Sequence, residues 1–182
     1  MRVTSLASVI AAIGVSVILA APAWAETAAE IDAGVEAARD ACAAEVAGCE
    51  AAAEKAQGML VFPKVTKGAI GVGGSYGEGA LIVDDKPAGY YSTAAASIGL
   101  QLGGETYSQI IMFTTTEALD SFRNSSGWEV GANAKVTMID QGKAADINSI
   151  IADSPVIAFV FGQQGLMGDL SVEGAKITKL DR

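Results

Sequence analysis

Ten of the chain's 21 glycines fall between Gly68 and Gly104, inside runs that otherwise carry the apolar and alternating pattern of β-strands. That combination limits the fold more than any other feature. A glycine in a helix interior costs about 1 kcal/mol relative to alanine, so a segment this rich in glycine does not make a helix. Within strands, glycine marks bulges, sharp bends or close approach of one backbone to another. The runs Met59–Pro63, Ala69–Gly77, Ala80–Asp85 and Gly89–Gly103 therefore predict a strongly curved sheet. Asp84-Asp85-Lys86-Pro87 is a polar turn between two of them.

The rest of the chain frames that sheet. Residues 26–57 are rich in alanine and glutamate, with no proline and two glycines, which is helical composition. Two helices are expected, at about 27–46 and 49–57, hinged at Gly48. Their apolar stripe is thin (Ile31, Val35 and Val46), which predicts light packing or mobility. Tyr107–Phe113 is apolar on both faces and reads as a fully buried strand. Thr114 with Glu117 fits a capping box, Leu119 and Phe122 share one face, and Asn124 is placed to stop this inserted helix. Further strands are expected near Ala132–Ile139, Val156–Gly162 and Leu170–Leu180, with Asp140–Pro155 as a long surface loop. The fold class is α+β: an N-terminal helical hairpin, then a curved, mainly antiparallel sheet or partial barrel carrying one inserted helix.

The first 25 residues have the form of an export leader. Arg2 is followed by an uncharged apolar run and by Ala23-Trp24-Ala25 before Glu26. Cleavage after Ala25 would deliver a periplasmic or secreted protein, with 26–57 a helical segment and 58–182 a β-rich region of one structural unit. An oxidising compartment makes Cys42 and Cys49 a candidate disulfide. In an unbroken helix their Cα atoms would lie about 10.5 Å apart at about 1.5 Å rise per residue, beyond the roughly 4.4–6.8 Å a bridge spans. The bridge requires the break at Gly48, and it reads as a staple, since C-x6-C is no redox motif.

Composition removes several functions. Loss of the leader leaves 11 basic against 21 acidic residues, a net charge of −10, which opposes general nucleic-acid binding. Gly73–Gly77 spells G-x-S-x-G around Ser75, but there is no histidine in the chain to serve as the usual base. The glycine cluster has Tyr76 where a dinucleotide fingerprint needs its third glycine, and it lacks the Gly-Lys-Ser/Thr of a phosphate loop. The scattered acids form no EF-hand loop. Neither a metal, a cofactor nor a catalytic group is expected. Trp128, in GWEVG, reads first as a core anchor at a turn.

What remains is a binding surface. Lys55, Lys64 and Lys67 are the one local basic concentration beyond the leader, and they flank the apolar Met59-Leu60-Val61-Phe62-Pro63. These lysines are the headgroup candidates, and Met59, Leu60 and Phe62 the apolar-contact candidates. Three lysines near an anionic membrane are worth roughly 3 kcal/mol, enough for transient contact. The expected partner is an acidic lipid or other amphiphile at a membrane surface. The alternative is a structural envelope protein that binds another protein or itself through apolar sheet surface.

Several motifs in order also resemble one known family. They are KAQGMLVFPKVTKGAIGVGGSYGEGAL at Lys55–Leu81, GYYSTAAASIGLQLGGETYS at Gly89–Ser108 and EALDSF at Glu117–Phe122. GWEVG at Gly127–Gly131 and SPVIAFVFGQQGLMGDLSVEGAKITKL at Ser154–Leu180 complete them. Together they resemble the SYLF domain, found in exported bacterial proteins and in eukaryotic endocytic adaptors. The resemblance implies acidic-lipid binding and, in the eukaryotic members, actin binding. Carried onto this chain, the implied basic residues are again Lys55, Lys64 and Lys67. The helix before them is acidic here, and actin is not expected as a partner in a periplasmic compartment.

Overall fold

The computed structural model describes residues 26–139, 146–165 and 174–182; the leader and the expected strand start at Leu170 lie outside them. Helix α1 (Ala28–Glu45) opens with a capping box in which Thr27 and Glu30 satisfy each other's backbone donors. It ends short of Gly48, whose φ of 81° starts α2 (Cys49–Ala53) in a new direction. Only glycine adopts that backbone at little cost. The break brings the Cα atoms of Cys42 and Cys49 to 5.8 Å, and the two sulfurs are bonded.

The thin stripe packs more tightly than its composition predicts. Ile31, Val35, Ala38 and Cys42 recur at helical spacing, and all four are buried. Alanine and glycine let the helix sit close to the sheet: a Cβ on Gly34 would stand 3.0 Å from the ring of Pro63.

The five expected short strands up to Phe113 are in fact two long ones. β1 (Gly58–Val83) and β2 (Lys86–Phe113) pair along their whole length as one antiparallel hairpin. Asp84 and Asp85 both have positive φ (50° and 58°), the backbone of a two-residue type I′ turn, whose twist matches that of the strands. Lys86 and Pro87 belong to the strand and not to the turn.

At about 3.3 Å per residue such a hairpin would reach roughly 85 Å if straight. Instead it folds in half. A Cβ built on Gly58 would stand 3.4 Å from the Ile82 carbonyl oxygen; on Gly79, 2.0 Å from that of Val61; on Gly77, 2.6 Å from that of Lys64. The two halves of β1 therefore run beside each other in opposite directions, and glycine is what lets the backbones meet. Bulges between Phe62 and Val65 and between Ile70 and Val72 supply the bend.

The other strands extend this folded hairpin. β5 (Val156–Gly165) joins the Glu105–Phe113 half of β2, and the parallel β4 (Thr137–Ile139) joins β5. On the other side β6 (Lys176–Leu180) joins Tyr90–Ala94, and β3 (Trp128–Glu129) joins β6. The result is a strongly curled half-barrel, mixed but mostly antiparallel.

Alternation along the strands sorts the core into two faces. Leu60, Phe62, Leu81, Ile111 and Phe113 meet residues from both ends of the sheet, Trp128 and Val156 among them, which marks the inner side of the curl. Helix α3 (Thr116–Asn124) plugs it with Leu119 and Phe122. Met59, Val61, Ala80, Ile82, Ile110 and Met112 face outward and are covered by α1, α2 and Ile147 of α4 (Ile147–Asp153). Three local readings change. The cap of α3 is Thr115, which accepts from the Ala118 amide, while the Thr114 hydroxyl donates to the Ser154 carbonyl. Asn124 has no left-handed backbone; the helix ends in extended Ser125. The expected loop before Pro155 contains α4.

Candidate functional site

The folded hairpin has two chemically different ends. At its bend, the approach of Gly77 to the Lys64 backbone brings the segment that carries Tyr76 alongside the one that carries Lys64, although twelve residues separate the two in sequence. Lys64 is exposed and Lys67 half-buried. Tyr76, at 49% exposure, is the one large apolar side chain exposed among the described residues. Its hydroxyl donates to Glu78 at 2.7 Å, and Glu78, though buried, is ion-paired with Arg182. Burial, then that hydrogen bond and the charge of Glu78, push the Tyr76 phenol up to about 12. The ring is thus a neutral amphipathic group at any ordinary pH, held by its polar tip.

Behind this end lies a buried polar strip on β2. Lys67 stands opposite Glu105 in register. Glu105 Oε2 and Gln109 Nε2, both inside the protein, have no hydrogen-bond partner. Tyr107 between them is pushed up by burial, an effect that its hydrogen bond with Ser75 offsets in part. Ser75 itself sits in mid-strand opposite Ala95, away from any strand-to-helix elbow. Trp128 is buried edge-on against Phe113 and Phe122, a core anchor.

The structure separates the sequence candidates. Lys55 follows α2 and donates to Asn148 of α4 at 2.5 Å. It lies beyond Gly58, roughly 20 Å of strand, at about 3.3 Å per residue, from Lys64. Lys64 and Lys67 share one stretch of β1, three residues apart, with Lys67 opposite Glu105; Lys55 does not join them. Leu60 and Phe62 are both at 0% exposure in the inner core, and Met59 lies under the helices. Of the three apolar candidates, Met59 alone reaches a concavity. Tyr76 is the residue that sequence reasoning passed over; its signal was an aromatic side chain among glycines too small to bury it.

That concavity forms the other end. Where α1 and α2 overhang the Asp84-Asp85 turn, a groove of about 650 Å³ opens. Met59, Ile82, Ile110 and Met112 line its floor, and Cys49 its wall. Arg39 reaches across from α1 to Asp85 at 2.6 Å.

No group of three or more metal-ligating side chains occurs among the described residues, and no described helix is long and apolar enough to cross a membrane. Residues 94–182 match the family model described as Ysc84, Las17-binding protein actin regulator. No curated protein matches the chain.

Proposed function

We propose, from the premise that the chain belongs over residues 94–182 to the Ysc84 (SYLF) family, that it is a non-enzymatic domain binding lipid or membrane surfaces in the bacterial cell envelope. Export follows from the leader and its cleavage site after Ala25. A mature protein beginning at Glu26, read by mass spectrometry of periplasmic material, is the expected product; a retained leader would reject this part.

The observation that carries the reading is that exposed Lys64 and exposed Tyr76 stand at the same end of the folded hairpin, on strand segments whose backbones meet at Gly77. A cation for the headgroup beside an aromatic ring with one apolar and one polar end suits the membrane–water interface. Lys67 adds to it. With Lys55 displaced, two lysines contribute about 2 kcal/mol on an anionic surface, so contact is reversible and salt-sensitive. Glu78 beside this site is neutralised by Arg182, which keeps a carboxylate from repelling the same headgroup.

Co-sedimentation with liposomes tests it. The protein is expected to pellet with anionic vesicles and not with neutral ones. Lys64→Ala/Lys67→Ala should abolish the preference, and Lys55→Ala should leave it. Equal, negligible pelleting on both vesicle types rejects the proposal. The alternative, an apolar sheet surface for a protein partner, has less of the sheet to use among the described residues, because helices cover the outer face except at the groove under α1 and α2 and α3 fills the inner one.

A further inference from the structure

The geometry points to a second binding site, in the groove under α1 and α2, for a small amphiphilic amine: one cationic head on an apolar body. Size is the first reason. About 650 Å³ lies within the range of small-molecule pockets, roughly 300–1,000 Å³. Polarity is the second. The floor is apolar and narrow, formed by Met59, Ile82, Ile110 and Met112 at 8% exposure or less, whereas the rim carries Glu36, Asp40, Glu50, Glu54, Asp84 and Asp85. Arg39 is the one cation among the described lining residues, and it is engaged by Asp85. Five carboxylates therefore face the opening without an ion pair among the described residues.

The Arg39–Asp85 pair shows the recognition in miniature. An aliphatic stem runs from α1 toward the turn and delivers a positive group to a rim carboxylate. A ligand with the same build, its tail over the floor and its ammonium among Glu50, Glu54 and Asp84, matches what is left. An anionic headgroup does not: it would meet five unpaired like charges. The groove and the Lys64–Tyr76 end consequently select opposite charges, and this assignment does not depend on the membrane reading.

The groove has a rigid frame. The Cys42–Cys49 bridge fixes α2 against α1, and the two aspartates at the hairpin turn hold a backbone that Asn accepts equally well. Neutralising the rim with Glu50→Gln/Glu54→Gln/Asp84→Asn therefore alters charge and leaves the turn.

The test is isothermal calorimetry at pH 7 with dodecylammonium chloride below its micelle concentration. Dodecanoate is the charge-reversed control and ethylammonium the control without a tail. Dodecylammonium is expected to bind at least about tenfold tighter than either control, since a tenfold ratio is the least a charge match and a buried tail should give. The triple variant should weaken it by about tenfold, summing three exposed charge contacts, and added salt should weaken it further. Amide shifts in wild-type protein should fall on Met59, Ile82 and Met112. Equal binding of dodecanoate, equal binding of ethylammonium, or unchanged affinity in a folded triple variant would each overturn the assignment. Tail-length dependence in the wild type (hexyl against dodecyl) reads the floor without any substitution, and no dependence would also overturn it.

Discussion

The bend end and the turn end of the folded hairpin are built from opposite materials. At the bend, glycines let two halves of one strand meet, and the exposed groups are a tyrosine and a lysine. At the turn, two left-handed aspartates, a disulfide and a helix pair enclose an acidic groove. The same strands reach both ends, so the contrast comes from what the fold places beside them. Self-approach of backbone demands the absence of side chains, and a groove demands overhanging ones.

Breaking the bend should have the largest effect. Gly79→Ala puts a Cβ 2.0 Å from a backbone oxygen that has nowhere to go, and overpacking of this kind costs about 3 kcal/mol or more. Gly68→Ala, where nothing lies within 4 Å of the new Cβ, should be neutral or stabilise by up to about 0.5 kcal/mol. Urea denaturation of both variants measures the difference; equal midpoints would remove the self-approach as the reason for those glycines.

At the turn end, replacing both cysteines by alanine should cost about 2.5 kcal/mol, from the chain-entropy estimate for so short a loop. Hydrogen exchange should quicken in α2 and not at Tyr76. Arg39→Ala, which removes an exposed pair, should cost less than about 1 kcal/mol.

A smaller effect distinguishes the ends by pH. The four tyrosines are all held above the ordinary phenol value, each chiefly by burial. A raised folded-state pKa contributes stability that is complete below about 10, the unfolded value, and lost as pH climbs through the folded value. Tyr76 is pushed up to about 12, so stability should fall between pH 10 and 12, and Tyr76→Phe should flatten part of that fall. Denaturation midpoints between pH 9 and 12 check it.

Much of this molecule was legible in the residues. Gly48 splits the helices because no helix tolerates its backbone, and the Cys42–Cys49 bridge follows from that break. Tyr107–Phe113 is buried on both faces as its apolar pattern requires. Leu119 and Phe122 share a buried helix face. Other features were hidden for identifiable reasons. Turn-like glycines between apolar runs looked like strand ends, whereas here they are places where one continuous strand bends or meets itself. Ile31 and Val35 looked too sparse to pack because small residues contribute closeness and not area. Lysines near in sequence looked clustered, but Lys64 lies roughly 20 Å along the strand from Gly58, at about 3.3 Å per residue, and Lys55 precedes that strand, bonded to Asn148 of α4.

The sequence alone determined the local periods, the helix break, the curvature of the sheet and the acidic balance, since each depends on neighbours along the chain. The tertiary structure alone decided that β1 lies against itself, that the segment carrying Tyr76 runs alongside the one carrying Lys64, and that α1 and α2 roof a groove over Met59 and Ile82. Those depend on which distant backbones touch. Many glycine-permitted bends are nearly equal in local energy, and only burial of both sheet faces selects one.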